Sequence, residues 1–126
     1  MDTEDEDLFS DSTNTFDTPV NVTPGHVLAR AFVLRQVAGP GCPREVLLNR
    51  ARLVIGRSKR VDVMVDSPEL SRRHVVLERD GNEYVVRDLD SRNGLFLNGV
   101  KIHSAVLRGG DTLQMGNVTF LFLEGF

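Results

Sequence analysis

Turn signals recur along this chain at intervals too short to leave room for helices. Asp80-Gly81-Asn82, Asn98-Gly99 and Gly116-Asn117 each separate two runs dominated by β-branched, aromatic or leucine residues. Asp, Asn and Gly tolerate the positive φ that a tight hairpin demands, so each triplet or pair reads as the tip of an antiparallel ribbon. Residues 74–79 and 83–87 flank the first tip, 95–97 and 101–102 the second, 113–115 and 118–123 the third. Upstream, residues 31–34 and 45–48 flank Gly39-Pro40-Gly41-Cys42-Pro43. Residues 53–55 stop at Gly56, and residues 63–65 stop at Asp66-Ser67-Pro68. No window of about twelve residues keeps a helical period. The expected fold is all-β, a two-sheet antiparallel β-sandwich of about 10–11 short strands.

Charge divides the chain in two. Residues 1–26 hold Asp2, Glu4, Asp5, Glu6, Asp7, Asp11 and Asp17 with no Lys or Arg, a sum of −7. The remaining 100 residues hold 11 acids against all 15 bases, a sum of +4. Leu8, Phe9 and Phe16 are too few to build a core, so residues 1–26 are expected to form a disordered acidic tail, and the folded domain to occupy 27–126. No apolar run approaches the ~20 residues that span a bilayer, and the acidic start does not resemble a secretory signal. The lone Cys42 lies in a turn and has no partner for an internal disulfide, so a cytoplasmic setting is expected, with no membrane contact.

Three segments put polar or cationic groups where a strand stops: Gly56-Arg57-Ser58-Lys59-Arg60, Ser71-Arg72-Arg73-His74 and Ser91-Arg92-Asn93-Gly94, the last followed by Asn98-Gly99. A doubly charged phosphate is held by guanidinium forks, hydroxyls and backbone N–H groups, and these loops supply all three. An Asn side chain also pairs both a donor and an acceptor of an extended peptide.

The order of Gly56-Arg57, Ser71-Arg72-Arg73-His74, Asp90-Ser91-Arg92-Asn93-Gly94 and Leu97-Asn98-Gly99 resembles the forkhead-associated (FHA) domain, over residues 31–126. Each motif alone is common by chance; the four in order with strands between them are specific. The resemblance implies a phosphothreonine-binding interaction module for protein partners, in which Arg57 and Ser71 grip the phosphate and Arg72 adds a phosphate or backbone contact. It also implies that Asn93 holds the peptide main chain. Gly56, His74, Gly94 and Asn98 correspond to structural positions, the glycines reading as turn geometry and His74 as a buried loop organiser. Lys59, Arg60, Arg73 and Arg92 are accessory candidates; Arg92 departs from the small residue usual before the asparagine. Glu69 opposes a strong preference for acidic residues C-terminal to the phosphothreonine, while the nearby arginines favour one. The tail's Thr15 and Thr18 sit in an acidic setting suited to a kinase, and a phosphorylated tail is a candidate ligand for its own domain.

Other classes fit less well. Ser71, His74 and Asp88 could be drawn as a hydrolase triad, but there is no G-x-S-x-G elbow, no Walker-type loop and no Cys/His spacing for a metal. Neither an enzyme nor a cofactor or metal is therefore expected. One Tyr, no Trp and a net charge of −3 disfavour nucleic acid. An FHA fold used as a phospho-independent interaction domain is the alternative function.

Overall fold

The computed structural model describes residues 31–125. The expected tail, Thr15, Thr18, the expected domain start at residue 27 and Phe126 lie outside the described residues. Eleven strands and no helix are found within them: β1 (Ala31–Ala38), β2 (Arg44–Leu47), β3 (Arg52–Gly56), β4 (Val63–Met64), β5 (Val75–Asp80), β6 (Glu83–Asp88), β7 (Leu95–Leu97), β8 (Val100–Ile102), β9 (Ser104–Val106), β10 (Thr112–Met115) and β11 (Val118–Gly125). They form a six-stranded sheet in the order β2-β1-β11-β10-β7-β8 and a five-stranded sheet in the order β4-β3-β5-β6-β9.

Alternation along each strand supplies the two inner faces. Phe32 and Leu34 of β1 point inward with Val118, Phe120 and Phe122 of β11, and they meet Leu53, Ile55, Val75, Leu77, Tyr84 and Val86 of the other sheet. At the centre the Phe32 ring stacks on Phe122 at 5.5 Å and meets Tyr84 edge-on at 5.3 Å. The turns obey the backbone demands of their sequences. Asn98 and Gly99 both take positive φ, 49° and 86°, as a type I′ tip requires, and Gly81 and Gly116 take positive φ at the first central position of theirs.

Two details depart from the expected strands. β3 and β4 pair parallel, Ile55 with Val63 and Gly56 with Met64. Asp62 makes this closure local: its carboxylate accepts from the Val54 amide at 2.8 Å and from Arg50 at 2.7 Å, drawing the loop back along β3. Ser104–Val106 also forms an unanticipated strand, pairing with β6 through Arg87↔Ser104 and Val85↔Val106. Its three residues are too few to show a period.

The strand registers bring four strand termini to one end of the sandwich. Ile55 near the end of β3 lies opposite Val75 at the start of β5, and Val75 lies opposite Asp88 at the end of β6. β7 follows from that end, and the β10–β11 tip joins it because β10 runs antiparallel to β7. The Arg57, Ser71 and Ser91 segments are therefore neighbours by topology.

Tyr84 of β6 ties the five-stranded sheet to the chain entering β3. It is fully buried, and its hydroxyl faces the carbonyl oxygens of Leu48 at 3.2 Å and Arg50 at 2.8 Å. Desolvation raises the phenol above its ordinary value, with the nearby Arg79 cation drawing it partly back. A phenol that ionises later in the folded than in the unfolded chain stabilises folding below about pH 10, and that contribution is lost as pH rises further. Tyr84→Phe should cost about 1–2 kcal/mol in urea unfolding at neutral pH, because the hydroxyl's bond is lost and the carbonyls it faced lose that partner. It should also remove the alkaline fall in stability specific to this residue; an unchanged alkaline limb would show that Tyr84 does not set it.

Candidate functional site

His74 organises the loop end. It is fully buried at the start of β5, and four hydrogen bonds carry it to four segments. Its amide donates to Ile55 at 2.9 Å and its carbonyl accepts from Leu89 at 2.9 Å. The Ser71 amide donates to Nδ1 at 3.0 Å, and Nε2 lies 2.8 Å from the Gly94 carbonyl. An acceptor role at Nδ1 assigns the proton to Nε2, so the ring donates to Gly94. These bonds tie His74 to Ile55, Ser71, Leu89 and Gly94.

The Arg57 segment is laid against the Ser71 loop by backbone bonds that extend the β3–β5 pairing: Arg57 N to Ser71 O at 3.0 Å and Ser58 N to Arg72 O at 3.1 Å. Gly56 permits that approach. It does not take positive φ, and a Cβ there would collide with the Arg72 carbonyl oxygen. The expectation that Gly56 serves turn geometry is thus corrected: it clears space for a crossing backbone. Gly94 does carry a turn conformation, φ 82°.

The third loop is fastened from within and from across. Ser91 is held by Asp88, whose carboxylate accepts from the Ser91 hydroxyl and, at 3.2 Å, from its amide; the Ser91 oxygen then accepts from Gly94 N at 3.0 Å. The Arg92 amide donates to Ser71 Oγ at 3.0 Å, and the Arg92 guanidinium donates to the Pro68 carbonyl at 2.9 Å. Asn93 Nδ2 donates to the Glu69 carbonyl at 2.7 Å. Ser67, fully buried, ties the same segment to the β10–β11 tip through Asn117 at 2.6 Å. Sequence reasoning missed Ser67, Pro68 and the bracing by Arg92, because a turn signal at residues 66–68 carries no hint of what the turn will touch.

Arg57, Ser71 and Asn93 each use one group for internal fastening and keep others free among the described residues. Arg57 Nε donates to Leu70 O at 3.1 Å, leaving both terminal NH2 groups unengaged. Ser71 Oγ accepts from Arg92, leaving its proton to donate. Asn93 keeps its oxygen and one amide proton. Arg72 is exposed beside them and makes no side-chain hydrogen bond with the described residues. Lys59 and Arg60 project from the adjacent turn and Arg73 from the crossing Ser71 loop, all exposed. Segments 56–60, 71–74 and 91–94 together hold six cations and no acid. Asn98 lies at the far end of β7, away from these groups. It caps the β10 start, accepting from Thr112 N at 2.9 Å and donating to Asp111 at 3.0 Å.

Among the described residues no helix is long and apolar enough to cross a membrane, and no cluster of three His, Cys, Asp or Glu is placed to hold a metal.

Comparison with known proteins gives a consistent answer. The FHA domain profile matches residues 53–116. The oxoglutarate dehydrogenase inhibitor of Corynebacterium jeikeium is 36% identical over 87 residues, 69% of this chain and 60% of that protein. The glycogen accumulation regulator GarA of Mycobacterium tuberculosis is 37% identical over 87 residues, 69% of this chain and 54% of that protein. The chain thus aligns with between half and two thirds of the length of these relatives. Among solved structures, an FHA domain from a study of phosphothreonine-dependent FHA interactions superimposes with a TM-score of 0.68 at 25% identity, covering 74% of this chain and 95% of that one. Mycobacterium tuberculosis EmbR in complex with a low affinity phosphopeptide gives 0.70 at 29% identity, covering 75% of this chain and 24% of that one. With the FHA profile matching half of its length, this chain belongs to the forkhead-associated domain family.

Proposed function

We propose that this domain binds phosphothreonine in a protein partner and acts by occupancy, without catalysis. The observation that carries this reading is the set of unengaged donors at one rigid loop end: the Arg57 terminal guanidinium nitrogens, the Ser71 hydroxyl, the Arg72 guanidinium and the Asn93 amide. Arg57 and Ser71 grip the phosphate, Arg72 adds a second guanidinium, and Asn93 pairs the peptide backbone beside it. Relatives named as a regulator and as an inhibitor of a dehydrogenase support a role in which binding itself is the output. Those names also motivate the second reading, in which the same loop end docks a folded enzyme without phosphate. We further propose that the tail, phosphorylated at Thr15 or Thr18, competes for the site in cis; tethering of this kind gives effective concentrations in the millimolar range.

Arg57→Ala should weaken a phosphothreonine peptide by several kcal/mol, since hydrogen bonds to charged groups contribute about 1.5–3 kcal/mol each and two terminal nitrogens are available. The exposed side chain makes one bond of its own, so folding should survive. Wild-type affinity by calorimetry would move the site elsewhere, and binding of the unphosphorylated twin peptide with equal affinity would favour the phosphate-independent reading.

The ligand's second ionisation lies near pH 6, so affinity should fall as pH drops from about 7.5 to 5.5 and the dianion is lost. A flat profile would count against dianion recognition. After kinase treatment of the full chain, NMR shifts at Arg57, Ser71 and Asn93 should move toward those of the peptide-bound domain; unmoved shifts with a phosphorylated tail would refute competition in cis.

A further inference from the structure

The chain holds two Asn-Gly pairs, Asn93-Gly94 and Asn98-Gly99. Such a pair is chemically labile. The glycine amide nitrogen can attack the asparagine carboxamide carbon, because no side chain shields the glycine and its backbone turns freely. The new N–C bond expels the carboxamide nitrogen as ammonia, which carries off the proton of the glycine amide. Water then opens the cyclic imide at either carbonyl, leaving an aspartate or an isoaspartate. The sequence of steps consumes water alone and involves no change of oxidation state.

The fold guards the two pairs from opposite sides. At Asn98 the carboxamide is committed: its oxygen accepts from Thr112 N at 2.9 Å and Thr112 Oγ1 at 3.0 Å, and its nitrogen donates to Asp111 at 3.0 Å. The Gly99 amide has no acceptor among the described residues. At Asn93 the order is reversed. The carboxamide is exposed, its oxygen unengaged and its nitrogen held once, by Glu69 O at 2.7 Å. Here the nucleophile is restrained: Gly94 N donates to Ser91 Oγ at 3.0 Å, and that hydroxyl is itself anchored on Asp88. Lys101 lies beside this peptide, so that a Cβ on Gly94 would meet its Cε at 2.9 Å and its Nζ at 3.7 Å. An ammonium at that range favours the negative charge that Gly94 N acquires as it attacks. Asn93 therefore combines a free electrophile, an activating cation and one hydrogen bond that holds the nucleophile back.

We infer that Asn93 is a site of spontaneous covalent modification, conversion to aspartate or isoaspartate, gated by the Ser91 hydroxyl on the Gly94 amide. Ser91 and Asp88 act as positioning residues that keep the recognition loop chemically intact. The consequence for binding rests on the phosphothreonine reading above. The conversion replaces an amide donor at the loop end by a carboxylate, which only accepts hydrogen bonds and repels a phosphate dianion, so it switches the site off.

The test follows aspartate and isoaspartate formation at residues 93 and 98 by peptide mapping of the full chain, aged at neutral pH either folded or unfolded in urea. In urea both asparagines should convert at comparable rates, and folding should slow both by at least roughly ten-fold, the factor that ~1.36 kcal/mol of barrier supplies. Ser91→Ala should speed conversion at Asn93 about ten-fold with Asn98 unmoved. Asp88→Asn, which keeps the hydroxyl and weakens its anchor, should give an intermediate rate at Asn93 alone, and adding Lys101→Gln to Ser91→Ala should slow that position again. A folded wild-type rate at Asn93 equal to that in urea, a rate unchanged in both variants, or a parallel rise at both asparagines in both variants would overturn the inference. Chain modified at residue 93 should pass unretained through a phosphothreonine-peptide column that holds unmodified chain and chain modified at residue 98. Full retention of the residue-93 product would overturn the switch and take Asn93 out of the binding site. Failure to retain even the unmodified chain would instead remove the phosphothreonine reading and leave the gated chemistry standing on the mapping data.

Discussion

The loop end depends on one buried imidazole. His74 accepts from the Ser71 amide on one side of the ring and reaches the Gly94 carbonyl on the other, while its own backbone holds Ile55 and Leu89. A neutral imidazole is suited to this because it presents an acceptor and a donor at opposite corners of a rigid plane. A carboxylate could only accept, and a lysine could only donate. Removing the ring would strand the Ser71 amide and the Gly94 carbonyl in a buried setting, at about 1–3 kcal/mol for each unsatisfied group. That energy acts on the relative placement of three loops rather than on the sandwich core, whose contacts are aromatic and aliphatic.

Fastening of this kind changes what the free side chains can do. Exposed arginines ordinarily lose rotamer entropy on binding, which offsets much of what a salt bridge supplies. Arg57 is already tethered through Nε to Leu70, Asn93 through its amide to Glu69, and Ser71 through Arg92. Each retains unengaged donors, so under the proposed function part of the ordering cost is met during folding instead of on binding. The Arg92 guanidinium contributes differently, by pulling the Pro68 turn toward the third loop.

Much of this was legible in the residues. Asn98-Gly99 announces its hairpin because both positions need positive φ, and alternation in residues 118–123 announces an inner and an outer face. Arg57, Ser71, His74 and Asn93 could be picked out because their types and order are informative together. What escaped was set by contacts distant in sequence. β9 becomes a strand because β6 offers an edge, not because Ser104-Ala105-Val106 has a pattern. β4 runs parallel to β3 because the Asp62 carboxylate catches the Val54 amide. Gly56 looked like a turn residue, and only the path of the Arg72 carbonyl shows why a side chain is excluded there. Thr15 and Thr18 were readable as phosphorylation candidates, yet no packing pattern in the tail says what it touches.

Net charge misleads for a related reason. The chain sums to −3, which on its own suggests no affinity for anions, yet three short segments hold six cations and no acid. A ligand approaching to within a Debye length, about 8 Å at physiological salt, responds to those cations and hardly to acids farther away. Five acids of the folded region are committed: Glu45, Asp62 and Glu78 to arginines, Asp88 to Ser91 and Asp111 to the turn before β10. Committed acids neutralise their partners locally, whereas Lys59, Arg60, Arg72 and Arg73 at the loop end have no ion-pair partner among the described residues. The hydrogen bonds around His74, with the Ser58–Arg72 backbone bond, set where the cations of the loop end stand.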